Sequence, residues 1–259
     1  MRGPVFCNHF QKKLPLRKII SILQVSIFIL VFFKSVKYNG NIAEGHLHRC
    51  AVLIAARNEA AVIGSLIDSL KRQNYPADRI DIYVVADNCT DHTAEVAEAH
   101  WIRDTLQCGA ADFLMPKITA LGNGGAVWIV AAAAMTASKK YRKYGIAMFA
   151  ALAAGVFVGN VCLKHLLARS RPCWIESVPL LIGNPTDYSF PSGHTLSSVI
   201  GAFMLTAANR KFGLLAISLA ALIGFSRLYL YVHFPSDVLA SVVIGVLLGS
   251  IAVYAITKV

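Results

Sequence analysis

Long apolar stretches separated by short basic segments dominate the second half of the chain. A membrane-spanning helix needs roughly 20 predominantly apolar residues, because every backbone polar group must be hydrogen-bonded inside the lipid. Stretches of this kind predict five spans, over 117–139, 143–164, 194–210, 212–232 and 237–258. We therefore expect an all-α membrane helical bundle of about five spans in this part of the chain.

Basic residues follow alternate predicted spans. They lie within 139–143, at 210–211 and at Lys258. The positive-inside rule places such segments in the cytoplasm. The loop over 164–194 and the turn around His233 are then expected on the opposite face, which carries nearly all of the unusual polar residues. This charge pattern predicts an integral membrane protein, in the plasma membrane, whose polar face is not cytoplasmic.

The N-terminal region contains one further apolar segment. Residues 19–33 are uncharged but number only 15, which is short for a span unless Lys18 and Lys34 extend to the membrane interface. We expect a candidate membrane anchor there, within a basic N-terminal region over 1–42. Residues 101–117 mix apolar and charged side chains and predict an amphipathic helix on the outer surface.

Residues 43–99 have the pattern of a soluble α/β segment. Strands are predicted over 50–55 and 80–86, and helices over 60–70 and 90–99. The order β-α-β-α is typical of the beginning of a nucleotide-binding domain. The chain is therefore expected to contain a short α/β fragment over 43–99, followed by a membrane domain over 100–259.

The composition supports the membrane assignment and excludes several classes of protein. Hydrophobic residues make up 56% of the chain and charged residues 15%, against about 25% charged in soluble domains. The net charge is +11, but in so apolar a chain it indicates topology rather than a nucleic-acid partner. Six cysteines without a CxxC pair predict neither a disulfide framework nor a zinc site.

Three clusters of polar residues lie on the predicted outer face. They consist of Lys164 with Arg171-Pro172, of Pro191-Ser192-Gly193-His194, and of Ser226-Arg227 with His233 and Asp237. Charges within or beside spans are costly, so these groups need partners or a function. Positive charge gathered around one point would stabilise a phosphoryl group, whose transition state spreads charge over three oxygens. The clusters therefore predict a phosphate pocket.

Five residues are the predicted phosphate ligands. Arg171 and Arg227 present planar forks for two oxygens, whereas Lys164 acts as a point charge. Ser192 and Gly193 precede an apolar helix, and the N–H groups at a helix start bind anions.

Two histidines and one carboxylate are the predicted reactive groups. His233 and Asp237 are four residues apart, so within one helical turn the carboxylate would accept the imidazole N–H. The other imidazole nitrogen would then be free for in-line attack on phosphorus. His194 would protonate the departing oxygen and later take a proton from water.

In spacing and order the three clusters resemble the signature of the type 2 phosphatidic acid phosphatase superfamily, whose fold is shared with vanadium haloperoxidases. The resemblance covers about 100–259. It implies a membrane lipid phosphatase in which His233 forms a phosphohistidine, Asp237 orients it and His194 is the acid and base. It also implies that neither a metal nor another cofactor is needed. Prenyl diphosphate, phosphatidate and phosphatidylglycerol phosphate are all compatible substrates, and small relatives favour the first.

The earlier fragment resembles the start of family 2 glycosyltransferases over about 43–99. The matching segments are Ala56-Arg57-Asn58-Glu59 and Asp87-Asn88-Cys89-Thr90-Asp91. In that family these loops cradle the nucleotide of a sugar donor. The resemblance includes neither the Asp-x-Asp metal site nor the acceptor-activating carboxylate. We interpret the segment as an incomplete, vestigial fragment, with Glu59 and Asp87 marking its former nucleotide site.

Two other functions stay open at this point. The first is a nucleotide-sugar-dependent glycosyltransferase that uses the segment around Asp87. The second is a non-catalytic membrane module whose pocket binds a lipid phosphate without turnover. Among the other residues, Lys164 and Arg171 could each be an interfacial anchor, Gly122–Gly125 predict close helix packing, and Trp128 is expected in the core.

Overall fold

The computed structural model describes most of the chain in two units, Met1–Trp101 and Ile102–Val259. The described residues are 49–76 and 79–258, together with the backbone of Phe6–Cys7 and Ile27–Phe32. The first unit contains a small sheet, and the second is built from helices.

A four-stranded sheet organises the first unit. Its strands are β1 (Phe6–Cys7), β2 (Ile27–Phe32), β3 (Cys50–Ala56) and β4 (Ile80–Ala86), in the spatial order β1-β4-β3-β2. β3 and β4 are parallel, and β2 is antiparallel to β3. The two strands predicted from the apolar runs are thus confirmed as β3 and β4.

Two helices accompany these strands, α1 (Ile63–Lys71) and α2 (Thr93–Leu106). Ile54, Ile63 and Val96 are fully buried and form the centre of a small core. α1 begins three residues later than predicted, and α2 extends beyond the predicted end. At the start of α2 the Asp91 carboxylate accepts the N–H of Thr93 at 3.0 Å, which satisfies a donor left free at a helix start.

The candidate anchor over 19–33 is described only over Ile27–Phe32. These residues form β2, paired with β3 from Ile27↔Ala56 to Phe32↔Ala51. A spanning helix would satisfy its backbone groups internally, whereas this strand satisfies them across the sheet. The described part of the segment is therefore not helical, and the rest of that prediction lies outside the described residues.

Helices build the second unit. They are α3 (Gly109–Leu121), a 3₁₀ turn (Asn123–Gly125), α4 (Ala126–Ala137), α5 (Arg142–Gly155), a π-helical segment (Val156–Leu163), α6 (Lys164–Leu167), α7 (Pro172–Ile175), α8 (Gly193–Ala208), α9 (Arg210–Tyr229) and α10 (Pro235–Lys258). The predicted helical bundle is confirmed. The single amphipathic helix predicted over 101–117 is wrong, because the extended backbone of Cys108 separates α2 from α3.

The number of spans differs from the prediction. Within the described residues, three helical segments are long and apolar enough to cross a membrane: Arg142–Ile175, α9 and α10. α3 and the helix over Asn123–Ala137 make a fourth if this pair, bent by 44°, is one span. α8 has 16 residues and is about 24 Å long at 1.5 Å per residue, short of a hydrocarbon core of about 30 Å. Five spans are therefore not confirmed.

Trp128 lies in the core of the bundle, as expected. Its side chain is 1% exposed, and its indole N–H donates to the Ser198 hydroxyl at 3.0 Å. A Cβ at Gly201 would overlap the Trp128 ring, so α4 and α8 pack closely at this glycine. This packing fixes the start of α8 beside the turn that joins α3 to α4.

Candidate active site

A cavity of about 830 Å³ opens among helix ends of the second unit. Six of the predicted site residues line it: Lys164, Arg171, Gly193, His194, Arg227 and His233. Asp237 and Ser192 are not among the lining residues. Both are fully buried, and each is close in the sequence to a residue that lines the cavity. The structure thus brings the three clusters of the sequence to one place.

The direction of the helices explains this convergence. The π-helical segment ends next to Lys164, and α8 begins at Gly193. α9 carries Arg227 in its last turn, and α10 has Asp237 in its first. These segments run alternately in opposite directions. The C-terminal ends of the π-helical segment and of α9 therefore lie on the same side of the bundle as the N-terminal ends of α8 and α10.

Arg171 is 2% exposed, and protein acceptors engage each of its donor nitrogens. Nε donates to the Asp187 carbonyl at 2.6 Å, and Nη2 donates to Asp187 Oδ1 at 2.7 Å and to the Tyr188 carbonyl at 3.3 Å. Nη1 donates to the Val232 carbonyl at 2.6 Å and lies 3.2 Å from His233 Nε2. A phosphate bound to Arg171 would therefore have to share or replace some of these contacts.

Asp187 is the anionic partner of two predicted phosphate ligands, Lys164 and Arg171. Its carboxylate accepts hydrogen bonds from Lys164 and Arg171. Partial burial alone would raise the pKa of Asp187, but the ammonium and the guanidinium outweigh it and lower the pKa to about 2. Sequence analysis did not include Asp187 among the site residues. The structure instead places its carboxylate on two of the predicted phosphate ligands.

Arg227 is a buried cation with unused donor capacity. Its side chain is 4% exposed, and Nη1 donates to the Thr119 hydroxyl at 2.7 Å. Nε is buried and has no hydrogen-bond partner within the described residues. Because an unpaired buried donor of a charged group is costly, this nitrogen is a natural contact for a bound anion.

His233 and Asp237 meet as predicted, but not within one helical turn. Their closest atoms, Nδ1 and Oδ2, are 3.5 Å apart. His233 lies in the turn that precedes α10, which begins at Pro235. Asp237 Oδ2 also accepts the N–H of Phe234 at 2.9 Å and the hydroxyl of Ser189 at 2.5 Å. The carboxylate therefore holds the turn and faces one nitrogen of the imidazole.

Arg169 completes the surroundings of this carboxylate. Its Nη1 donates to Asp237 Oδ1 at 2.5 Å and to the Ser236 hydroxyl at 2.8 Å, and its guanidinium lies over the Phe234 ring at 4.3 Å. Sequence reasoning missed both Arg169 and Ser189. The sequence signal that could have identified them is proximity to the clusters. Arg169 lies two residues before Arg171, and Ser189 lies two residues before Pro191.

His233 is held as a neutral base. Burial, together with the charges of Arg171 and Arg227, lowers its pKa to about 3, although Asp237 acts in the opposite direction. At neutral pH the imidazole therefore carries a lone pair on one nitrogen. Such a group, with its other nitrogen beside a carboxylate, is suited to nucleophilic attack.

The start of α8 carries the second histidine. Nε2 of His194 lies 2.9 Å from Oδ1 of Asn123. The Ser192 hydroxyl caps the helix by accepting the N–H of Thr195 at 3.5 Å and its O–H at 3.0 Å, so this hydroxyl is used within the helix start. A Cβ at Gly122 would lie 2.9 Å from the His194 ring. The close packing predicted for this glycine segment is thus confirmed at Gly122 but not at Gly124, which has no neighbour within 4 Å of an added Cβ.

Glu59 and Asp87 lie at one edge of the sheet in the first unit. Each follows one of two parallel strands, β3 and β4, at its carboxyl end, where ligands of α/β proteins bind. The Asp87 N–H donates to the Ala56 carbonyl at 3.0 Å, and Asn58 Oδ1 accepts the N–H of Thr90 at 2.8 Å. The two loops that carry the resemblance are thus joined by hydrogen bonds.

Comparison with known families confirms both resemblances. Residues 143–259 match the model of the PAP2 superfamily, and residues 48–157 match that of a glycosyltransferase-like family 2. All three polar clusters fall within the first match.

Two curated relatives illustrate the similarity. The chain is 39% identical over 126 residues to an undecaprenyl-diphosphatase of Sulfolobus acidocaldarius, covering 48% of this chain and 59% of that protein. It is 29% identical over 179 residues to phosphatidylglycerophosphatase B of Bacillus subtilis, covering 63% of this chain and 79% of that protein. The chain thus spans less than two thirds of the first of these relatives.

A solved structure shows the same fold. It is the crystal structure of a transmembrane PAP2-type phosphatidylglycerolphosphate phosphatase from Bacillus subtilis. The TM-score is 0.55 at 23% identity, and the match covers 78% of this chain and 96% of that one.

Proposed function

We propose that residues 143–259, a PAP2 superfamily domain, form the catalytic part of a membrane phosphatase that hydrolyses the phosphomonoester or diphosphate of a lipid. The observation that carries this proposal is the convergence of two histidines and three cations on one cavity. Cations stabilise the charge that develops on a transferring phosphoryl group. A histidine beside a carboxylate, with a second histidine on the same cavity, supplies a nucleophile and a proton donor.

In the first step His233 Nε2 attacks phosphorus in line with the departing oxygen. The N–P bond forms as the P–O bond breaks, and the electron pair of that bond stays on the oxygen, which takes a proton from the His194 imidazolium. Burial and the charges of Arg227 and Lys164 lower the pKa of His194 to about 3, and the negative charge of the bound phosphate raises it so that the ring is protonated when it acts as the acid. Arg171 Nη1 lies 3.2 Å from His233 Nε2, close enough to contact an oxygen of the same phosphoryl group. Asp237, which faces Nδ1 at 3.5 Å, stabilises the charge that the imidazole acquires.

In the second step water attacks the phosphohistidine. His194 takes a proton from this water as the O–P bond forms, and the N–P bond breaks with its electron pair returning to His233. Phosphate is released, and both histidines regain their initial protonation states. Lys164, Arg171 and Arg227 are the proposed ligands of the phosphoryl group in both steps, with the N–H groups at the start of α8.

The apolar part of the cavity favours a lipid substrate. Ile129, Phe149, Leu152 and Val156 are among its lining residues, so a hydrocarbon tail can remain in the bilayer while the phosphate reaches the cations. Of the compatible substrates we favour a prenyl diphosphate. The undecaprenyl-diphosphatase relative supports this choice, and phosphatidylglycerophosphatase B keeps phosphatidylglycerol phosphate as a second substrate to test.

The helix directions support a site on the non-cytoplasmic face of the plasma membrane. α9 begins at Arg210 and carries Arg227 near its end, and α10 begins near Asp237 and ends at Lys258. The basic ends of these helices are therefore opposite to the cavity. By the positive-inside rule these ends are cytoplasmic.

Turnover is favoured over simple lipid binding because the reacting groups are in place. A binding module needs only the cations, whereas here two histidines line the same cavity: His233 contacts Arg171 and faces Asp237 at 3.5 Å, and His194 is hydrogen-bonded to Asn123. We further propose that residues 43–99 form an incomplete α/β fragment without transferase activity, and that residues 100–259 form the phosphatase domain.

Phosphate release should continue when divalent metal ions are removed. The cavity gathers three cations, and Arg171 and Lys164 engage the Asp187 carboxylate while Arg169 engages that of Asp237, so this donor set suits an anion rather than a metal ion. We expect less than about a twofold change in kcat/KM with EDTA, since the cations supply the charge stabilisation. The measurement is phosphate release from a prenyl diphosphate and from phosphatidylglycerol phosphate in detergent.

Loss of activity in EDTA that added Mg²⁺ restores would contradict this mechanism. Release from neither substrate, with or without metal, would contradict the proposed function for these two lipids. Binding of vanadate by the same preparation would then identify a formed anion pocket that does not turn them over.

Asp187→Asn should tighten the binding of inorganic phosphate and of vanadate. The carboxylate competes with a bound anion for Lys164 and Arg171, and with its pKa of about 2 it stays ionised at neutral pH. We expect about a tenfold lower inhibition constant, a modest gain because the side chain is 55% exposed and solvent screens its charge.

Asp112→Asn is the matched control for this variant. Asp112 accepts a hydrogen bond from the Tyr229 hydroxyl at 2.6 Å and does not line the cavity. An unchanged or higher inhibition constant for Asp187→Asn would show that the carboxylate supports anion binding instead of competing with it.

A further inference from the structure

A glycine-rich turn between α3 and α4 contacts the His194 ring through Gly122 and Asn123. Gly122 leaves no room for a side chain, because a Cβ there would lie 2.9 Å from His194 Cδ2 and 3.0 Å from Ile223 Cγ2. Gly124 and Gly125 have φ of 58° and 71°, a region that favours glycine. All three glycines line the cavity. The turn therefore forms part of the cavity wall beside His194, in addition to joining α3 to α4.

Asn123 is the one residue of this turn with a functional side chain. Its Oδ1 lies 2.9 Å from His194 Nε2, which is the single hydrogen bond of this ring within the described residues. An amide oxygen can only accept a hydrogen bond, so Nε2 carries the proton. The nitrogen that exchanges a proton with substrate is then Nδ1, which carries the second proton of the imidazolium and a lone pair in the neutral ring.

We propose that Asn123 is a positioning residue, which holds the His194 ring by Nε2 so that Nδ1 faces the departing oxygen of the substrate. This inference rests on the proposed phosphatase function. When His194 acts as the acid, the proton moves from Nδ1 to the oxygen as the P–O bond breaks, and the electron pair of that bond stays on the oxygen. Asn123 accepts the Nε2–H before and after this transfer, so the ring keeps its orientation in both protonation states.

The role predicts a dependence on the leaving group that a purely structural residue would not show. An alkoxide needs a proton in order to leave, whereas a nitrophenolate leaves without one. The experiment therefore compares two substrates in detergent, dodecyl phosphate and a nitrophenyl phosphate that carries the same tail. The quantity measured is kcat/KM, which reports the steps up to departure of the leaving group.

Asn123→Leu removes the acceptor and keeps much of the side-chain volume. We expect its kcat/KM for the alkyl phosphate to fall roughly 10- to 100-fold, a part of the 10²- to 10⁴-fold that general acid catalysis supplies. For the nitrophenyl phosphate we expect a fall of less than about threefold, since no proton is required. Asn123→Asp keeps an acceptor oxygen in place and should restore most of the alkyl phosphate activity.

Two further variants separate positioning from folding. Asn123→Ala removes the same acceptor with a smaller side chain, and serves if Asn123→Leu does not fold. Asn209→Ala removes a helix-capping acceptor from the Lys211 N–H at the other end of α8, about 22 Å from His194 at 1.5 Å per residue. This control should change thermal stability without making the two substrates respond differently.

The outcomes are distinct. Equal losses on both substrates, no loss on either, or an Asn123→Asp variant as impaired as Asn123→Leu would overturn the positioning role. If the unaltered protein hydrolyses neither substrate, the proposed phosphatase function fails together with the inference that rests on it. A loss confined to the alkyl phosphate and restored by Asn123→Asp supports the proposal.

Discussion

His233→Ala should abolish phosphate release while the protein remains folded. The variant removes the group that we propose to form the covalent bond to phosphorus, so we expect kcat to fall by about 10⁴-fold or more, as when other enzymes lose their nucleophile. The neighbouring polar groups keep partners, since Arg171 still donates to the Val232 carbonyl and Asp237 still accepts from Phe234 and Ser189. The loss of stability should therefore be limited to about 1–3 kcal/mol.

The measurement has two parts, phosphate release from a prenyl diphosphate and trapping of the phosphoenzyme with radiolabelled substrate. The intact protein should form an acid-labile phosphoenzyme, and His233→Ala should form none. His165→Ala is the matched control, because His165 is exposed and its Nδ1 contacts the Val161 carbonyl, four residues earlier in the chain, at 2.9 Å. A His233→Ala variant that still forms a phosphoenzyme would show that another residue attacks phosphorus.

The sequence predicted the members of the candidate site because their spacing follows the helix ends. Cations and histidines at the borders of apolar stretches are costly unless they meet, and alternating helix directions bring those borders together. Local rules also indicated the start of α8 at Ser192-Gly193. Spacing and residue type are therefore sufficient to predict the members of the site, without knowing which side chains are in contact.

Contacts between distant parts of the chain were beyond such rules. Asp187 reaches Lys164 across 23 positions, and Asn123 reaches His194 across 71. A carboxylate in a loop or an asparagine in a turn is common in any sequence, and only tertiary packing decides its partner. Sequence patterns therefore predicted Lys164 and His194 but not the acceptors that they contact.

Five spans are not confirmed for two local reasons, the 16-residue length of α8 and a bend in the first predicted span. The uncharged stretch over 117–139 has the composition of one span, but the chain bends by 44° between α3 and the helix over Asn123–Ala137, next to the positive φ of Gly124 and Gly125. Glycine permits this conformation without demanding it. The bend brings Asn123 to His194, so the feature that breaks the predicted span also contributes to the site.

Arg227→Met should impair catalysis without a matching loss of stability. Arg227 is 4% exposed, and its Nε is unpaired within the described residues. Removing one such donor from a transition-state site costs about 10²- to 10³-fold in kcat, and we expect a loss of this size in kcat/KM for the lipid substrate. Arg227 forms no ion pair within the described residues, so its replacement leaves no buried counter-charge unpaired and removes the cost of burying a cation. The melting temperature should therefore stay level or rise.

This opposition between activity and stability distinguishes a functional cation from an interfacial anchor. An anchor contributes by placing its helix at the membrane surface, so its loss should lower stability and activity together. Arg210→Met tests that case on the same helix, because Arg210 is exposed and begins α9 at the end away from the cavity. The measurements are kcat/KM in detergent, thermal unfolding, and the inhibition constant of vanadate, which should rise only in Arg227→Met. If Arg227→Met binds vanadate as tightly as the intact protein, Arg227 is not a ligand of the phosphoryl group, and the unpaired Nε needs another explanation.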